Sequence, residues 1–571
     1  MNRSRTMVAL VASLAAASLS LTACSSSGGE KKASSPEASK SAENTVKITV
    51  SANNPVPREK LKQGGTLTWA VDQYSEQWNY LQINGAEYTT DSVMEALLPS
   101  PFHVDENATP YVAKEYFSNV QQTVSNGKQV VTYDINPKAK WSDGTPITWK
   151  DLASEANALS GKNGKFQVGS TTGFEDIESV TKGTSDQQAV VTFKRNFGDW
   201  TSLFAPLYPA KYTATPDAFN KGYLNKIPVT AGPFKLQSLN PTTKTITIVR
   251  DPKWWDQPAI LDKIVYRALT SDAGPGAFAN GEVDFINIGP DPSGFKQAQS
   301  RKDGEIREAA GPQFRHFTFN TKSPVLSDVN VRKAIAQAIN REAIAKSDLQ
   351  GLNWPPLMLN NHFFVNGQKG YQDNSGDVGK YNPTSAKALL DAAGWKTSGQ
   401  YRQKDGKTLE VKFIYPEGTG VSENEGKLAQ KMLQQVGVKL DIQPVPSDDF
   451  FDKYVQPGKF DITAFAWLGN AWPVSSNKSI YQSPQGDNNF QNFAWYANPE
   501  IDAAIAKSAG DLDPNQAIAD ANAADKLIWE GVTVFPLYQR PAIFGAKKSL
   551  ANLGSPQNQQ EIIYQNIGFT S

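Results

Sequence analysis

The chain has very few of the side chains that most often bind transition metals. Cys24 is the only cysteine among 571 residues, and the three histidines, His103, His316 and His362, are far apart in sequence. An intrachain disulfide is therefore excluded, and the imidazole and thiolate ligands typical of zinc or nickel sites are not grouped. We predict neither a metal site nor a cofactor.

Motifs for catalysis are also lacking. The sequence contains no G-x-S-x-G nucleophile elbow, no G-x-x-x-x-G-K-[ST] phosphate loop and no G-x-G-x-x-G dinucleotide loop. The scarcity of histidine argues against a Ser-His-Asp hydrolase as well. We predict that the protein is not an enzyme.

An excess of charge of either sign is absent. Lysine and arginine together number 57, and aspartate and glutamate together also number 57. A nucleic-acid-binding surface needs clustered basic residues, so we expect no nucleic-acid partner. Beyond the start of the chain, no apolar run approaches the length of a membrane-spanning helix.

A short export signal is present at the start of the chain. Arg3 and Arg5 precede an apolar run from Met7 to Leu19, and small residues then lead to Leu21–Cys24, which reads Leu-Thr-Ala-Cys. This order is typical of a secretory signal, and the apolar part is too short to span a bilayer comfortably. The last four residues resemble a bacterial lipobox, in which the cysteine becomes the lipidated N-terminus.

The lipobox resemblance implies that residues 1–23 form a signal peptide and that Cys24 carries the lipid. The alternative is a signal peptide that is cut elsewhere, with Cys24 as a bystander. Residues 24–63, which begin with a Ser-rich stretch, are interpreted as a flexible tether. The mature protein is then expected on the extracytoplasmic face of the cell membrane, because two or three acyl chains give stable anchoring.

Strands and helices alternate irregularly after the tether, which indicates an α/β fold. Residues 65–70 alternate between apolar and polar as a strand does. Thr148 and Asp151 have the spacing of a capping box, which predicts that a helix starts there. Asn382 followed by Pro383 predicts a second helix start, because proline is favoured at the first helical position.

A series of short motifs follows in a fixed order along most of the chain. Each motif alone is a weak signal, because a sequence such as S-D-G-T-P could form any hairpin. The motifs are residues 141–148 (W-S-D-G-T-P-I-T), 230–236 (T-A-G-P-F-K-L), 250–255 (R-D-P-K-W-W), 281–284 (G-E-V-D), 320–341, 386–395 and 535–538 (F-P-L-Y). In this order they resemble family 5 of the extracellular solute-binding proteins of ABC importers, the group that contains dipeptide- and oligopeptide-binding proteins.

The family resemblance implies a two-lobe α/β fold of the periplasmic-binding-protein type (type II, cluster C-like), with a hinge about which the lobes close on ligand. Lobe 1 is expected to comprise residues 64–313, with an extra subdomain at 86–229. Lobe 2 is expected to comprise residues 314–535, and residues 536–571 are expected to return to lobe 1.

The resemblance also implies a ligand site in lobe 2. In the peptide-binding members, a strand of the type F-D-[LI] leads to a tryptophan, and an aspartate three residues later pairs with the peptide's α-ammonium group. Here the strand begins at Phe460, the tryptophan is Trp467, and Asn470 stands at the aspartate position. An amide cannot neutralise an ammonium group, and an unpaired charge in a dry cleft is costly. A free amine would need another carboxylate, such as Glu76 or Asp72; otherwise the ligand is a blocked or modified peptide, or not a peptide.

Aromatic and amide side chains surround these positions in the sequence. Aromatic faces and amide groups bind peptide backbones of varied sequence, and they equally suit stacked sugar rings. Some of the aromatic residues are expected to serve the core instead. The residues predicted to contact ligand are Trp467, Asn470, Trp472, Tyr74, Trp78 and Glu76.

The resulting hypothesis is a lipid-anchored receptor of an ABC importer, which captures oligopeptides by hinge closure and delivers them to the permease. Its partners would be the oligopeptide, the permease subunits and, through Cys24, the membrane; the resemblance implies a monomer. Three alternatives stay open. The same fold could bind an oligosaccharide or a glycolipid head group, it could belong to a non-transport envelope or signalling lipoprotein, or the chain could be a secreted hydrolase.

Overall fold

The computed structural model describes residues 48–556 and 562–570. The predicted signal peptide, Cys24 and the first part of the predicted tether lie outside the described residues. Within the two described ranges, no helix is both long enough and apolar enough to cross a membrane.

Short strands and helices alternate along the described chain, and one π-helical segment spans Phe450–Val455. The strands are β1 (Ser51–Ala52), β2 (Leu61–Lys62), β3 (Thr66–Val71), β4 (Phe102–Val104), β5 (Pro110–Val112), β6 (Phe117–Ser125), β7 (Lys128–Ile135), β8 (Ile177–Lys182), β9 (Gln188–Phe193), β10 (Phe234–Asn240), β11 (Thr245–Arg250), β12 (Lys263–Ala268), β13 (Phe285–Asn287), β14 (Gly304–Phe319), β15 (Leu357–Met358), β16 (Lys396–Ser398), β17 (Tyr401–Lys404), β18 (Lys407–Thr408), β19 (Glu410–Pro416), β20 (Lys439–Val445), β21 (Ile462–Leu468), β22 (Val534–Lys547), β23 (Leu550–Ala551), β24 (Ser555–Pro556) and β25 (Gly568–Thr570). The helices are α1 (Tyr88–Met94), α2 (Trp149–Leu159), α3 (Ala210–Thr213), α4 (Pro216–Lys221), α5 (Gly274–Ala279), α6 (Pro292–Ala298), α7 (Val329–Ala338), α8 (Arg341–Asp348), α9 (Pro383–Ala392), α10 (Gly420–Gln434), α11 (Pro473–Tyr481), α12 (Pro499–Gly510) and α13 (Pro514–Gly531).

The largest sheet runs through both halves of the molecule. Its strand order is β10-β11-β12-β3-β13-β22-β14-β21-β19-β20, with β15 paired to β22 outside this path. The β12–β3, β13–β3, β19–β20 and β19–β21 pairs are parallel, and the remaining pairs of this sheet are antiparallel. A mixed sheet with helices packed on it is the α/β architecture that the sequence predicts.

Two long antiparallel strands, β14 and β22, connect the halves of this sheet. Most residues of both strands are buried, as expected for strands at the centre of a sheet that is covered on both faces. A register shift interrupts their pairing between Ala310 and Phe314. An irregularity of this kind bends the strand that carries it, so residues 311–313 form a bulge between the halves.

Each half of the molecule has its own hydrophobic core. The first core takes residues between Leu67 and Phe285 and then, from the end of the chain, residues between Phe544 and Ile567. The second core takes residues between Phe317 and Tyr538. The two cores correspond to the two lobes of the predicted α/β fold, whereas the boundaries at residues 313 and 535 stay predictions.

A separate four-stranded sheet, with the order β6-β7-β9-β8, lies in the part of the chain where the extra subdomain is predicted. Helix α2 packs on β8 and β9. Buried and half-buried residues alternate along β7, so one face of this sheet turns towards the first core and the other is only partly covered.

Local sequence signals reappear at the helix starts. The Thr148 N–H donates to the Asp151 carboxylate at 2.8 Å, which completes the predicted capping box of α2. Asn382 caps α9, and Pro383 occupies its first turn. The predicted strand at residues 65–70 is displaced by one residue from β3.

The folded body begins earlier than the sequence indicates. β1 pairs with β24 and β2 pairs with β25, so residues 51–62, which were assigned to the tether, are tied to the end of the chain. The Asn54 side chain also donates to the Leu550 carbonyl, 496 positions away. Composition over a short window cannot reveal a pairing partner at such a distance. The predicted tether therefore extends too far along the chain.

Candidate functional site

Three strands, β14, β21 and β22, meet at the bulge between the halves. Gly469, directly after β21, donates its N–H to the Pro312 carbonyl at 2.8 Å. Gly311 lies against the backbone of β22: a Cβ atom there would be 2.8 Å from the Arg540 carbonyl oxygen and 2.9 Å from the Ala542 nitrogen, so only glycine fits. This packing holds the end of β21 and the following loop beside the bulge.

Trp467, near the end of β21, lies in a cluster of rings. Its indole is nearly parallel to the His316 ring, with 5.7 Å between centroids and 7° between planes, and to the Phe493 ring, at 5.7 Å and 12°. The Phe465 ring meets the indole edge-on at 5.1 Å. These arrangements are favourable for aromatic rings, and they fix the indole in position. Its buried Nε1–H has no hydrogen-bond partner in the described part of the chain.

Asn470 is half-buried in the loop that follows β21. Its side-chain oxygen accepts a hydrogen bond from the Trp472 N–H at 2.9 Å, the pattern of an Asx turn. Its backbone carbonyl accepts from the Gln368 side chain at 3.0 Å. The side chain is therefore engaged in shaping the loop, and because it is uncharged it cannot form an ion pair with a ligand.

Trp472 connects the two halves of the molecule. Its indole N–H donates to the Thr201 hydroxyl at 3.1 Å, and the Ser475 N–H in the first turn of α11 donates to the Asp199 carboxylate at 3.0 Å. Burial raises the pKa of Asp199, although the hydrogen bonds from Ser475 oppose this effect. We call Asp199, Thr201, Trp472 and Ser475 the interlobe latch.

The ligand-contacting residues that are predicted in the first half of the molecule follow β3. The half-buried Tyr74 ring meets the Trp78 ring edge-on at 6.2 Å. Trp78 is fully buried, and its carbonyl accepts a hydrogen bond from the Tyr208 hydroxyl at 2.7 Å, so it belongs to the first core. Glu76 and Asp72 are exposed. Burial, followed by the charge of Glu76, raises the pKa of Tyr74.

The structure brings together only part of the predicted set. Trp467, Asn470 and Trp472 lie on one strand end and its loop. Within residues 48–556 and 562–570, no hydrogen bond or ion pair joins Tyr74 or Glu76 to those three. The role of every one of these residues in ligand binding stays a prediction.

Sequence reasoning missed a group of charged side chains beside the bulge. Buried Arg315 forms a bidentate ion pair with Glu425, in which Nε and Oε1 are 2.8 Å apart. The Tyr538 hydroxyl donates to Asp348 at 3.1 Å, and burial, together with repulsion from Glu425, raises the pKa of Asp348 to about 7. Arg540 lies within electrostatic reach of all four. We call these five residues the hinge charge cluster.

The three histidines have separate environments. The His103 ring is 2.6 Å from Glu115, the His362 ring is 2.6 Å from Asp525, and His316 lies in the ring cluster of Trp467. In the part of the chain that the structure describes, no group of three or more His, Cys, Asp or Glu side chains is arranged to hold a metal ion.

Comparison with known proteins decides the family. Residues 107–489 match the model of the bacterial extracellular solute-binding proteins, family 5, middle region. The oligopeptide-binding protein OppA of Mycobacterium bovis and Mycobacterium tuberculosis is 40% identical over 553 residues, which are 96% of this chain and 91% of the relative. The chain belongs to this family. The family resemblance predicted from the motifs is thereby confirmed.

Two other relatives of this family 5 protein differ in what their names say they bind. The probable monoacyl phosphatidylinositol tetramannoside-binding protein LpqW of Mycobacterium tuberculosis is 26% identical over 230 residues, which are 39% of this chain and 35% of the relative. Among solved structures, the periplasmic EDTA-binding protein EppA has a TM-score of 0.81 and 25% identity, and the match covers 93% of this chain and 100% of that chain. This likeness confirms the two-lobe α/β fold.

Proposed function

We propose that this family 5 protein is the lipid-anchored receptor of an ABC importer, and that it captures oligopeptides and delivers them to a permease. The observation that carries the proposal is the 40% identity with OppA, a protein named for oligopeptide binding, over 96% of this chain. Coverage this complete leaves few residues of either half outside the match.

The proposed mechanism is closure of the lobes on the ligand. The bulge at residues 311–313 is the place where the connecting strands bend, and the interlobe latch supplies a second connection between the halves. A ligand that contacts both lobes stabilises the closed arrangement, so that a permease distinguishes loaded from empty receptor. The protein makes and breaks no bond in this mechanism.

Ligand contacts are proposed around the loop after β21. Trp467 offers an aromatic ring held by its neighbours, and Asn470 offers a neutral amide. If the protein binds the peptide's free amino group, Glu76 or Asp72, the exposed acids that follow β3, must balance its charge. Tyr74 and Trp472 complete the proposed set, and Trp78, which is fully buried, would contribute only if opening of the lobes uncovered its ring.

The anchor and the location form part of the same proposal. The Leu-Thr-Ala-Cys ending at Cys24 supports a lipid on this residue, and with it a place on the extracytoplasmic face of the cell membrane. The word 'extracellular' in the family's name supports a location outside the cytoplasm. A monomer is the proposed form.

Binding of short peptides to the full chain is the decisive experiment. The protein is purified in detergent, unfolded and refolded to release carried-over ligand, and titrated with a pool of random pentapeptides. We expect micromolar affinity, roughly −8 kcal/mol, and a higher melting temperature, because ligand at about 100 times Kd adds about 2.7 kcal/mol. Trp467→Ala should reduce the affinity at least about tenfold, whereas Tyr381→Ala, at an exposed aromatic residue, should leave it unchanged.

N-acetylation of the pool separates two forms of the proposal. If acetylation abolishes binding, the protein recognises a free amine, and Glu76→Gln or Asp72→Asn should weaken binding of the unmodified pool. If acetylated peptides bind equally well, the protein does not recognise the amine. A wild-type protein that binds neither pool contradicts the peptide assignment.

A non-peptide ligand is the second candidate. Asn470 in place of the aspartate favours it, and relatives named for a mannoside-bearing lipid and for EDTA show that members of this fold differ in ligand class. Oligomannosides and EDTA in the same titration test this candidate. A third possibility, a non-transport envelope or signalling role, predicts that deletion of the protein leaves peptide uptake by the cell unchanged.

A further inference from the structure

We propose that Arg540 is a ligand-binding residue of the cleft and that it binds a carboxylate of the ligand beside the bulge. The inference rests on the proposed function in one respect, because it takes the space between the lobes as the ligand site. The ligand class that follows is a peptide recognised through its C-terminal carboxylate or through an acidic side chain.

Arg540 is placed at the junction of the lobes by the pairing of the long strands. It lies in β22 between the residues that pair with the two ends of the bulge at 311–313. Its Nη1 donates to the side-chain oxygen of exposed Gln313 at 3.3 Å. Gln313 in turn pairs with Leu468, which is 53% exposed. An open surface therefore leads from the guanidinium to the strand end that precedes Asn470.

Arg540 has no acidic partner among the residues that the structure describes. Its Nε is buried without a hydrogen-bond acceptor. The two nearby acids are engaged elsewhere, Glu425 by Arg315 and Asp348 by Tyr538. A largely buried cation without a counter-charge is costly, and a carboxylate supplied by a ligand would remove that cost.

The balance of charge around Arg540 favours an anion. Burial, followed by repulsion from Arg315, lowers the pKa of Arg540, but an arginine remains charged at neutral pH. Burial raises the pKa of Asp348 to about 7, so Asp348 is a weaker counter-charge for Arg540 at neutral pH than an ordinary carboxylate would be.

The geometry of the guanidinium suits a carboxylate in particular. The planar guanidinium presents pairs of N–H groups that match the two oxygens of a carboxylate, and Nη1 is the nitrogen that lies beside the exposed Gln313 side chain. Residue 470 is at the same time a neutral amide and not an acid. The family's amine-binding position thus holds no anion here, and a cation lies on the strand that faces the bulge, which favours recognition of the ligand's carboxylate over its amine.

The test compares three random pentapeptide pools: one with free C-termini, one with amidated C-termini, and one made without Asp and Glu. Affinities are measured by calorimetry for the full-length wild-type protein and for Arg540→Gln. We expect removal of the recognised carboxylate to weaken wild-type binding about ten- to a hundredfold, the range of a charge-assisted hydrogen bond. The same removal should leave the affinity of Arg540→Gln unchanged. The pool that weakens binding to the wild type but not to Arg540→Gln identifies the source of the carboxylate.

Two further variants separate recognition from folding. Arg540→Lys keeps the charge without the fork and should retain part of the discrimination between pools. Arg195→Gln alters an arginine that is exposed and distant in sequence from the bulge, and it should behave as wild type. If Arg540→Gln fails to fold, as judged by its melting curve, the discrimination shown by Arg540→Lys decides.

The proposal is overturned if the wild-type protein does not discriminate between the pools, or if Arg540→Gln discriminates as well as the wild type does. If no pool binds, EDTA serves as a polycarboxylate probe. EDTA binding that Arg540→Gln weakens would support the role of Arg540 while contradicting the peptide assignment. Absent EDTA binding, or binding that the substitution leaves unchanged, would contradict both.

Discussion

Burial controls the protonation of several side chains that lie where the two halves of the molecule meet. Loss of hydration raises the pKa of Asp348 to about 7, raises that of Asp199, and lowers that of His316 well below its ordinary value. In each case burial penalises the charged form more than nearby contacts favour it. These groups therefore link the stability of the protein to pH.

His316 gives the clearest prediction at this scale. Burial, followed by the charge of Arg315, keeps its ring neutral in the folded state, whereas the unfolded chain binds a proton as the pH falls through 6.5. The free energy of unfolding should therefore decrease below pH 6.5, by up to about 1.4 kcal/mol per pH unit.

Urea unfolding of the wild type and of His316→Phe at pH 7.5 and pH 5.5 measures this effect. Phenylalanine preserves a ring beside Trp467 but cannot bind a proton. We expect the variant to lose about 1.4 kcal/mol less than the wild type between the two pH values. Equal losses would mean that His316 makes no pH-dependent contribution.

Residue positions can be predicted from sequence only where a local pattern fixes them. Trp467 and Asn470 follow a strand motif at a set spacing, so their place at the end of β21 is predictable. The full burial of Trp78 is not, because spacing along the chain does not say which aromatic ring faces the core. Arg540 becomes notable only through its contact with Gln313, 227 positions earlier.

Helix α11 shows how an element in one half can depend on the other half. Its first turn has backbone N–H groups that no residue within the helix can satisfy. The acceptor for Ser475 is Asp199, 276 positions earlier, and Trp472, just before the helix, reaches Thr201 in the same segment. Opening of the lobes would break both contacts.

Substitutions at Asp199 test the latch. Asp199→Ala removes the acceptor for the Ser475 N–H, whereas Asp199→Asn keeps an oxygen at nearly the same place. Loss of such a cap costs typically ~1 kcal/mol, so we expect Asp199→Ala to weaken peptide binding about fivefold. Asp199→Asn should stay close to wild-type affinity.

Calorimetry gives these affinities, and small-angle X-ray scattering of the ligand-free variants gives their radii of gyration. A larger radius for Asp199→Ala than for Asp199→Asn would show that the latch favours closure. Wild-type affinity and radius in both variants would show that it does not.

Elements defined by neighbouring residues are therefore predictable, and elements defined by distant ones are not. The caps of α2 and α9 depend on hydrogen bonds across three residues, and the sequence predicts both. The strands β1 and β2 depend on partners at the other end of the chain, so the local sequence indicates a tether there instead. The bulge at 311–313 likewise depends on the register of β14 against β22.

The two-lobe arrangement of the whole molecule can be predicted because seven different motifs occur in a fixed order along most of the chain. Physical reasoning from composition alone reaches only an α/β fold. The proposed anchor belongs to this scale too, because it determines where the whole molecule resides.

Cys24→Ser tests the anchor. A hydroxyl cannot take the lipid in place of the thiol, so the variant should not incorporate labelled palmitate and should leave the membrane fraction, in which the wild type is expected. Fractionation of cells that express each form, followed by immunoblotting, measures this difference. A variant that stays in the membrane fraction would contradict an anchor at Cys24.

The pairing of β1 with β24 and of β2 with β25 also bears on how the protein is made. The second core comes from one continuous stretch, Phe317 to Tyr538, and all its parts leave the ribosome before the C-terminus does. The first core needs residues from both ends of the chain. Contacts at such separation form slowly, because closing a long loop costs entropy. The strands β1 and β2 therefore cannot pair until the last residues have been synthesised. A chain truncated near its C-terminus would lack these pairings, and its first lobe would not fold completely.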